Sequence, residues 1–354
     1  LGIIRLLLAI AVCNSHFELT ALPMVDGHEA VLSFFAVSGF YMAMILDTRN
    51  YCARDFYKSR LHGLYPIYIF AVGVSAFLLF TLDIHPLVSR KEMLSVIADP
   101  AGFFLVMWTT FCTLGQELLF SLDFSNSGHL YFISKEMHSL YNVAFLVQGW
   151  SLSLETVFYL IAPFLVLRGD RSIFILSCIS LIFRISIVNS SLADQSFFLR
   201  FFPADFWLFG FGILSYRFHR SLSDKACLID CMAFVLLTVL VMTAGLAGKK
   251  VEPFLLPVST IILQPYIFRL LKNVPVDRVI GKITYPFYLL HYTVIGLFEE
   301  YSDDPEGWQI FAVSLSAAIV VYIVFNLKSD VFKPWFGSPF GSVGGRFRRI
   351  KQNV

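Results

Sequence analysis

The stretch Leu1-Gly2-Ile3-Ile4-Arg5-Leu6-Leu7-Leu8-Ala9-Ile10-Ala11-Val12-Cys13-Asn14-Ser15-His16 decides how the rest of the chain is read. It is an apolar run with one arginine near its start and one histidine at its end. As an α-helix it brings His16 back to within about 20° of Arg5, so the two share a face. The helical rise sets them about 16 Å apart, over half of a hydrocarbon core about 30 Å thick. A guanidinium and an imidazole on one stripe of a membrane helix are costly unless that stripe faces protein. Two readings follow. One is a catalytic histidine reached from one side of the membrane, with an arginine set deeper toward the other. The second is a snorkelling arginine and an interfacial histidine.

Composition makes the membrane reading general. The chain is 57% hydrophobic with 38 Phe and only 15% charged residues, and its mean hydropathy is +0.72. A soluble domain carries about 25% charged residues. This is therefore an all-α polytopic membrane protein, a transmembrane helix bundle. No cleavage pattern follows the first segment, so it is expected as a retained span. A net charge of +2 is too small to favour nucleic acid. The six cysteines lie mostly in apolar stretches without Cys-x-x-Cys spacing. They read as small core residues, neither a disulfide framework nor a metal site.

Apolar spans are legible at about 2–16, 30–47, 63–82, 150–168, 172–189, 201–217, 228–247, 254–271, 283–299 and 308–326. Loop charge sets their direction. The loop with Glu18, Asp26, His28 and Glu29 has no Lys or Arg and is expected outside. Arg49, Arg54, Lys58 and Arg60 mark the next loop as inside, as do Arg168 with Arg171, Arg217 with Arg220 and Lys225, and Lys272 with Arg278 and Lys282. The acidic loop Glu299 to Asp304 is outside; Lys249 and Lys250 are the exception to the pattern. The alternation demands an even number of crossings within 83–149. Either the segment 93–121 does not fully cross, which gives ten spans, or 83–149 crosses twice, which gives twelve; about ten is the favoured count, with both termini cytoplasmic and a bent or re-entrant element at Asp99-Pro100-Ala101-Gly102. The expected division is a membrane domain over 1–327 and a short basic cytoplasmic tail over 328–354.

Several short motifs carry chemistry. Phe34-Phe35-Ala36-Val37-Ser38-Gly39-Phe40 puts Ser38 and Gly39 in a span, where small residues allow close helix packing. The stretch from Phe56 to Pro66 sets Lys58, Arg60 and His62 beside aromatics; with Arg54 it is a positive-inside anchor or a phosphate-binding rim. Glu155, in Trp150-Ser151-Leu152-Ser153-Leu154-Glu155, lies about 7.5 Å in from Trp150. A buried carboxylate in a span is a functional candidate. It enters from the same side as His16, so the two are expected to meet. Arg184 and Asp205 form either further site residues or a structural pair. His291, in Thr284-Tyr285-Pro286-Phe287-Tyr288-Leu289-Leu290-His291, is mid-span, where a hydrogen-bonded core histidine is the simpler reading.

Taken in order, these motifs resemble the acyltransferase-3 family of integral-membrane acyltransferases, which O-acylate sugars and polysaccharides. The resemblance runs from Leu1 to about Asn326. It implies a cytosolic acyl-CoA donor, acetyl-CoA first among them, and a glycan or polysaccharide acceptor presented outside. It implies a bacterial inner-membrane location. A second copy of the chain or a glycan-assembly protein is a further candidate partner, besides the surrounding lipid. Functional residues would fall on Arg5, His16, Ser38, Gly39, Arg60, Glu155 and His291. One departure stands out: the family's second basic-loop arginine corresponds to Gly63 here, and His62 is the candidate substitute.

A thioester needs little activation, but a sugar hydroxyl is a poor nucleophile. A general base near neutral pH supplies about a 10²–10⁴-fold effect. His16 is the expected base, Glu155 its orienting carboxylate, and Arg5 a group that polarises the thioester oxygen or holds the donor's arm. The rival class is a proton-coupled transporter, which would also show intramembrane His, Arg and Glu. The paired, interrupted spans of an inverted-repeat carrier are not legible here.

Overall fold

The computed structural model describes residues 1–49, 52–124, 130–132, 140–194, 196–246 and 252–327. Its α-helices run α1 (Gly2–His16), α2 (Gly27–Arg49), α3 (Ala53–Leu82), α4 (Arg90–Ala98), α5 (Pro100–Cys112), α6 (Gly149–Leu165), α7 (Asp170–Val188), α8 (Ser196–Leu199), α9 (Phe202–Ser221), α10 (Leu228–Thr243), α11 (Glu252–Leu271), α12 (Pro275–Tyr301) and α13 (Gly307–Leu327). One antiparallel hairpin, β1 (Leu122–Phe124) with β2 (Leu130–Phe132), lies between α5 and α6. The proposed tail over 328–354, and Lys249 and Lys250, lie outside the described residues.

Among the described residues, seven helices are long and apolar enough to cross a bilayer: α2, α3, α7, α9 with α8, α10, α11 and α13. Of the other segments expected as spans, 2–16 and 150–168 fall on the shorter apolar helices α1 and α6, and 283–299 falls within α12. Large apolar side chains such as Phe77, Phe104, Ile182, Met232 and Val320 are exposed on the bundle's outside. An apolar wall of this extent belongs against hydrocarbon.

The centre is built on α2 and α9, which run parallel. A Cβ on Gly39 would stand 2.2 Å from the Phe209 carbonyl oxygen, and one on Gly212 would stand 2.3 Å from that of Ala36. Only glycine lets these two backbones touch. Phe35 and Phe158 then stack on Phe209, at 4.9 and 4.3 Å between ring centroids. α1 and α12 also run parallel, since the Ile3 N–H donates to Asp277 at 2.8 Å and the His16 ring lies beside His291.

The segment 93–121 contains the expected bend. α4 and α5 meet at 110°. The Asp99 carboxylate caps α5 by accepting from the N–H groups of Ala101 and Gly102, both at 3.0 Å, and Pro100 has no N–H to leave unpaired. α5 descends along α3, where the Tyr68 hydroxyl donates to the Thr110 carbonyl at 2.9 Å. The chain turns at Thr113 (φ 50°) and Gly115 (φ 80°), and comes back to put Phe120 within 6.4 Å of Trp150.

The cysteine reading is corrected. Cys13 is buried and Cys178 half-buried, but Cys52, Cys112, Cys227 and Cys231 are exposed; all six are unbridged. They sit at helix ends and on outward faces, where a small weakly polar side chain is tolerated by lipid and protein alike.

Candidate active site

A cavity of about 250 Å³ lies inside the bundle, walled by α1, α2, α3, α6 and α12. Arg5, Ser38, Arg60 and Glu155 all line it. Gly39 seats α2 against α9, and the next residue back, Ser38, turns toward α6. Its hydroxyl donates to Glu155 Oε1 at 2.5 Å. Tyr159, one turn after Glu155, brings its hydroxyl beside the same pair. Arg5 points along α12 and donates to the Gly281 carbonyl at 3.4 Å. Arg60 lies over the Phe56 ring at 5.9 Å. Tyr288 closes the outer end, sharing a 2.8 Å hydrogen bond with Ser151 and packing its ring 6.0 Å from Phe34. Two guanidinium groups thus face one carboxylate in a mostly apolar chamber, an arrangement suited to an anion or a polarised carbonyl.

His16 stands apart from this cavity, at the exposed end of α1. Its ring is 5.7 Å from that of His291 and 4.5 Å from that of Tyr292. His291 is fully buried. Its Nδ1 lies 2.8 Å from the Tyr288 carbonyl and so carries the proton, which leaves Nε2 a bare acceptor without a partner. Asn14 folds the following loop back by accepting from the N–H groups of Leu19 and Thr20.

The expected meeting of Glu155 with His16 is not found. α6 packs on α2, α3 and α9, whereas α1 packs on α2, α10 and α12. The two side chains face different neighbours, and Glu155 takes Ser38 instead.

The basic rim also differs from expectation. Residues 54–62 are not a loop: they form the first turns of α3, which starts at Ala53. Helical geometry turns Lys58 and His62 about 160° away from Arg60. The His62 Nδ1 packs on the Lys58 carbonyl at 2.5 Å, and Arg54 and Lys58 are exposed. Of these four, Arg60 alone lines the cavity. Gly63 shares the Arg60 side of the helix, and a Cβ there would meet nothing within 4 Å. His62 therefore does not fill the place of the missing arginine.

Arg184 and Asp205 form an ion pair at 3.1 Å, with side chains 2% and 0% exposed. Arg184 also donates to the Leu199 carbonyl at 2.6 Å and meets His28 Nε2 at 3.3 Å. His28 stacks on Trp150 at 5.6 Å, and the Arg200 guanidinium covers Phe120 at 3.9 Å. This outer cluster locks α2, α6, α7 and α9 together. Sequence reasoning missed His28, Arg200, Tyr159 and Tyr288 as parts of these sites. Tyr159 had a signal, being one turn from Glu155; the others become neighbours only in the fold.

The chain matches the model of the acyltransferase-3 family, described as an acyltransferase domain, over residues 1–327, and it belongs to that family. The family and the apolar helices together make it a multi-pass integral membrane protein of an acyltransferase family. Neither a curated protein nor a solved structure matches it.

Proposed function

We propose that this protein is an integral-membrane O-acyltransferase that moves an acyl group, acetyl in the first instance, from cytosolic acyl-CoA to a hydroxyl of a cell-surface or exported glycan. A bacterial inner membrane is the setting this reading supplies. The observation that carries it is the cavity shared by Arg5, Arg60 and Glu155 in a chain of this family. Arg60 lies toward the cytoplasmic end of α3, where the phosphates of a nucleotide thioester enter. Arg5 lies deeper and is suited to the thioester oxygen. His16, exposed at the opposite end of α1, is the general base that takes the proton of the incoming hydroxyl. No metal enters this scheme. The test is to give membranes of an expressing cell labelled acetyl-CoA. Label on glycan, lost in His16→Gln, supports the proposal. Glycan movement coupled to protons, without acyl transfer, overturns it in favour of a transporter.

A further inference from the structure

The cavity that suits the donor and the histidine that suits the acceptor are separated. Phe34 and Tyr288 pack against each other at the cavity's outer end. Beyond them lie His291, held by the Tyr288 carbonyl, and then His16. An acyl group delivered into the cavity is therefore not beside His16. A group in the cavity that held it would let CoA leave before the acceptor arrives.

Ser38 has the geometry to do so. Its Oγ gives its hydrogen to Glu155 at 2.5 Å, which leaves the oxygen lone pairs available on the cavity side. A hydroxyl within hydrogen-bond reach of a carboxylate base is the pattern of an activated nucleophile. Ser38 sits mid-helix, so the backbone N–H groups around it are used within α2 and none can serve an oxyanion. The donors must be side chains, and Arg5, Arg60 and the Tyr159 hydroxyl line the same chamber.

We propose that Ser38 is a covalent acyl carrier and that Glu155 is its base, so that transfer runs in two half-reactions. This rests on the acyl-CoA reading above. In the first, Ser38 Oγ attacks the thioester carbon and Glu155 takes the serine proton. The C–S bond breaks, and the sulfur leaves as CoA thiol with the proton from Glu155. A Ser38 ester remains. In the second, the acceptor hydroxyl enters past Phe34 and Tyr288 and attacks the ester carbon. The hydroxyl proton passes to His16 by way of the bare Nε2 of His291, which lies between Tyr288 and His16, the bond from carbon to the Ser38 oxygen breaks, and the same path returns the proton to that oxygen. Nothing is oxidised or reduced, and no further reactant is needed.

The two halves separate experimentally. Full-length protein in membranes receives acetyl-CoA and radiolabelled CoA without acceptor. Wild type should exchange label into acetyl-CoA and carry one acetyl group on the peptide containing Ser38. Ser38→Ala and Glu155→Gln should lower exchange by about a hundredfold or more. His16→Gln should keep exchange while losing transfer to glycan. Ser38→Cys guards against misfolding of the alanine variant: it should exchange, and its acyl group should be released by neutral hydroxylamine, which spares an oxygen ester. Exchange that persists in Ser38→Ala, acetyl found on His16 instead, or a wild type that acylates glycan without any exchange would overturn the carrier while leaving the acyltransferase reading intact. A wild type that neither exchanges nor transfers would fail both.

Discussion

Cutting one side of the Arg184–Asp205 pair tests whether these residues hold the bundle together or take part in its chemistry. Both side chains are essentially excluded from solvent, at 2% and 0% exposure. Asp205→Ala leaves a guanidinium that cannot shed its charge facing only the Leu199 carbonyl and His28. Breaking a buried pair from one side costs about 3–5 kcal/mol. The double variant Arg184→Met with Asp205→Leu removes both charges and puts apolar volume in their place, which is often close to neutral for such pairs. Here it still strands the Leu199 carbonyl, for about 1–3 kcal/mol. The double variant should therefore be more stable than Asp205→Ala alone. Denaturant or thermal unfolding of the detergent-solubilised protein measures this, with acyl transfer assayed alongside. With the singles Arg184→Met and Asp205→Leu measured as well, a double effect within about 0.5 kcal/mol of their sum would mean that the pair is not one energetic unit. If Asp205→Ala keeps its stability but loses acyl transfer, the pair belongs to the site and the structural reading is wrong.

His16→Gln should abolish transfer to glycan with expression and insertion unchanged, because an exposed side chain at a helix end contributes little to packing; transfer at close to the wild-type rate would move the base to His291. Arg60→Ala should raise the KM for acyl-CoA about tenfold with little change in kcat, since a phosphate contact is shared by ground and transition states; His62→Ala should add nothing, because His62 faces away from the cavity. A reporter fused after Val354 should read cytoplasmic and one in the 299–306 loop should read outside; the reverse would put His16 on the wrong side for an external acceptor. Outside the spans, burial pushes His85 down to about 4, against backbone contacts at Ala144 and Phe145 that act the other way. The unfolded chain would charge His85 near 6.5, so its contribution to stability is intact above that pH and is lost as pH falls toward 4. Thermal unfolding of His85→Phe followed across pH 4–7 should therefore show a flatter acid limb than wild type.

Much of the fold could be read in advance because a bilayer leaves so few options: every span must be a long apolar helix, and breaks must be capped. Asp99-Pro100 announced its bend through a capping carboxylate followed by a residue with no N–H. The shared face of Arg5 and His16 is also found, since both meet α12, at Gly281 and at His291. The start of α3 was misjudged for the opposite reason. Arg54, Lys58 and Arg60 lower the hydropathy of its first turns without lowering their helix propensity, so a span read from apolarity begins ten residues late. That error turned a helix with two faces into a featureless basic loop, and placed His62 beside Arg60.

The misplacement of Glu155 has a geometric origin. Counted from the helix starts, Ser38 lies eleven residues into α2 and Glu155 six into α6, or about 16 Å and 9 Å of rise. Their hydroxyl and carboxylate nonetheless touch. α6 must then begin roughly 7 Å deeper in the bundle than α2. The packing agrees: the first six residues of α6, Gly149 to Leu154, are all buried, and Trp150 meets Phe35 as well as His28. The bent segment before α6 supplies that depth. It carries the chain down along α3 and hands it to α6 through buried Gln116 and Gln148, whose amides donate to the carbonyls of Leu146 and of Tyr288 and Leu289. A reading that starts every span at the membrane surface sets Glu155 level with His16. Once α6 starts inside the bundle, its carboxylate reaches Ser38, and the acid-bearing helix becomes part of the donor chamber rather than of the acceptor face.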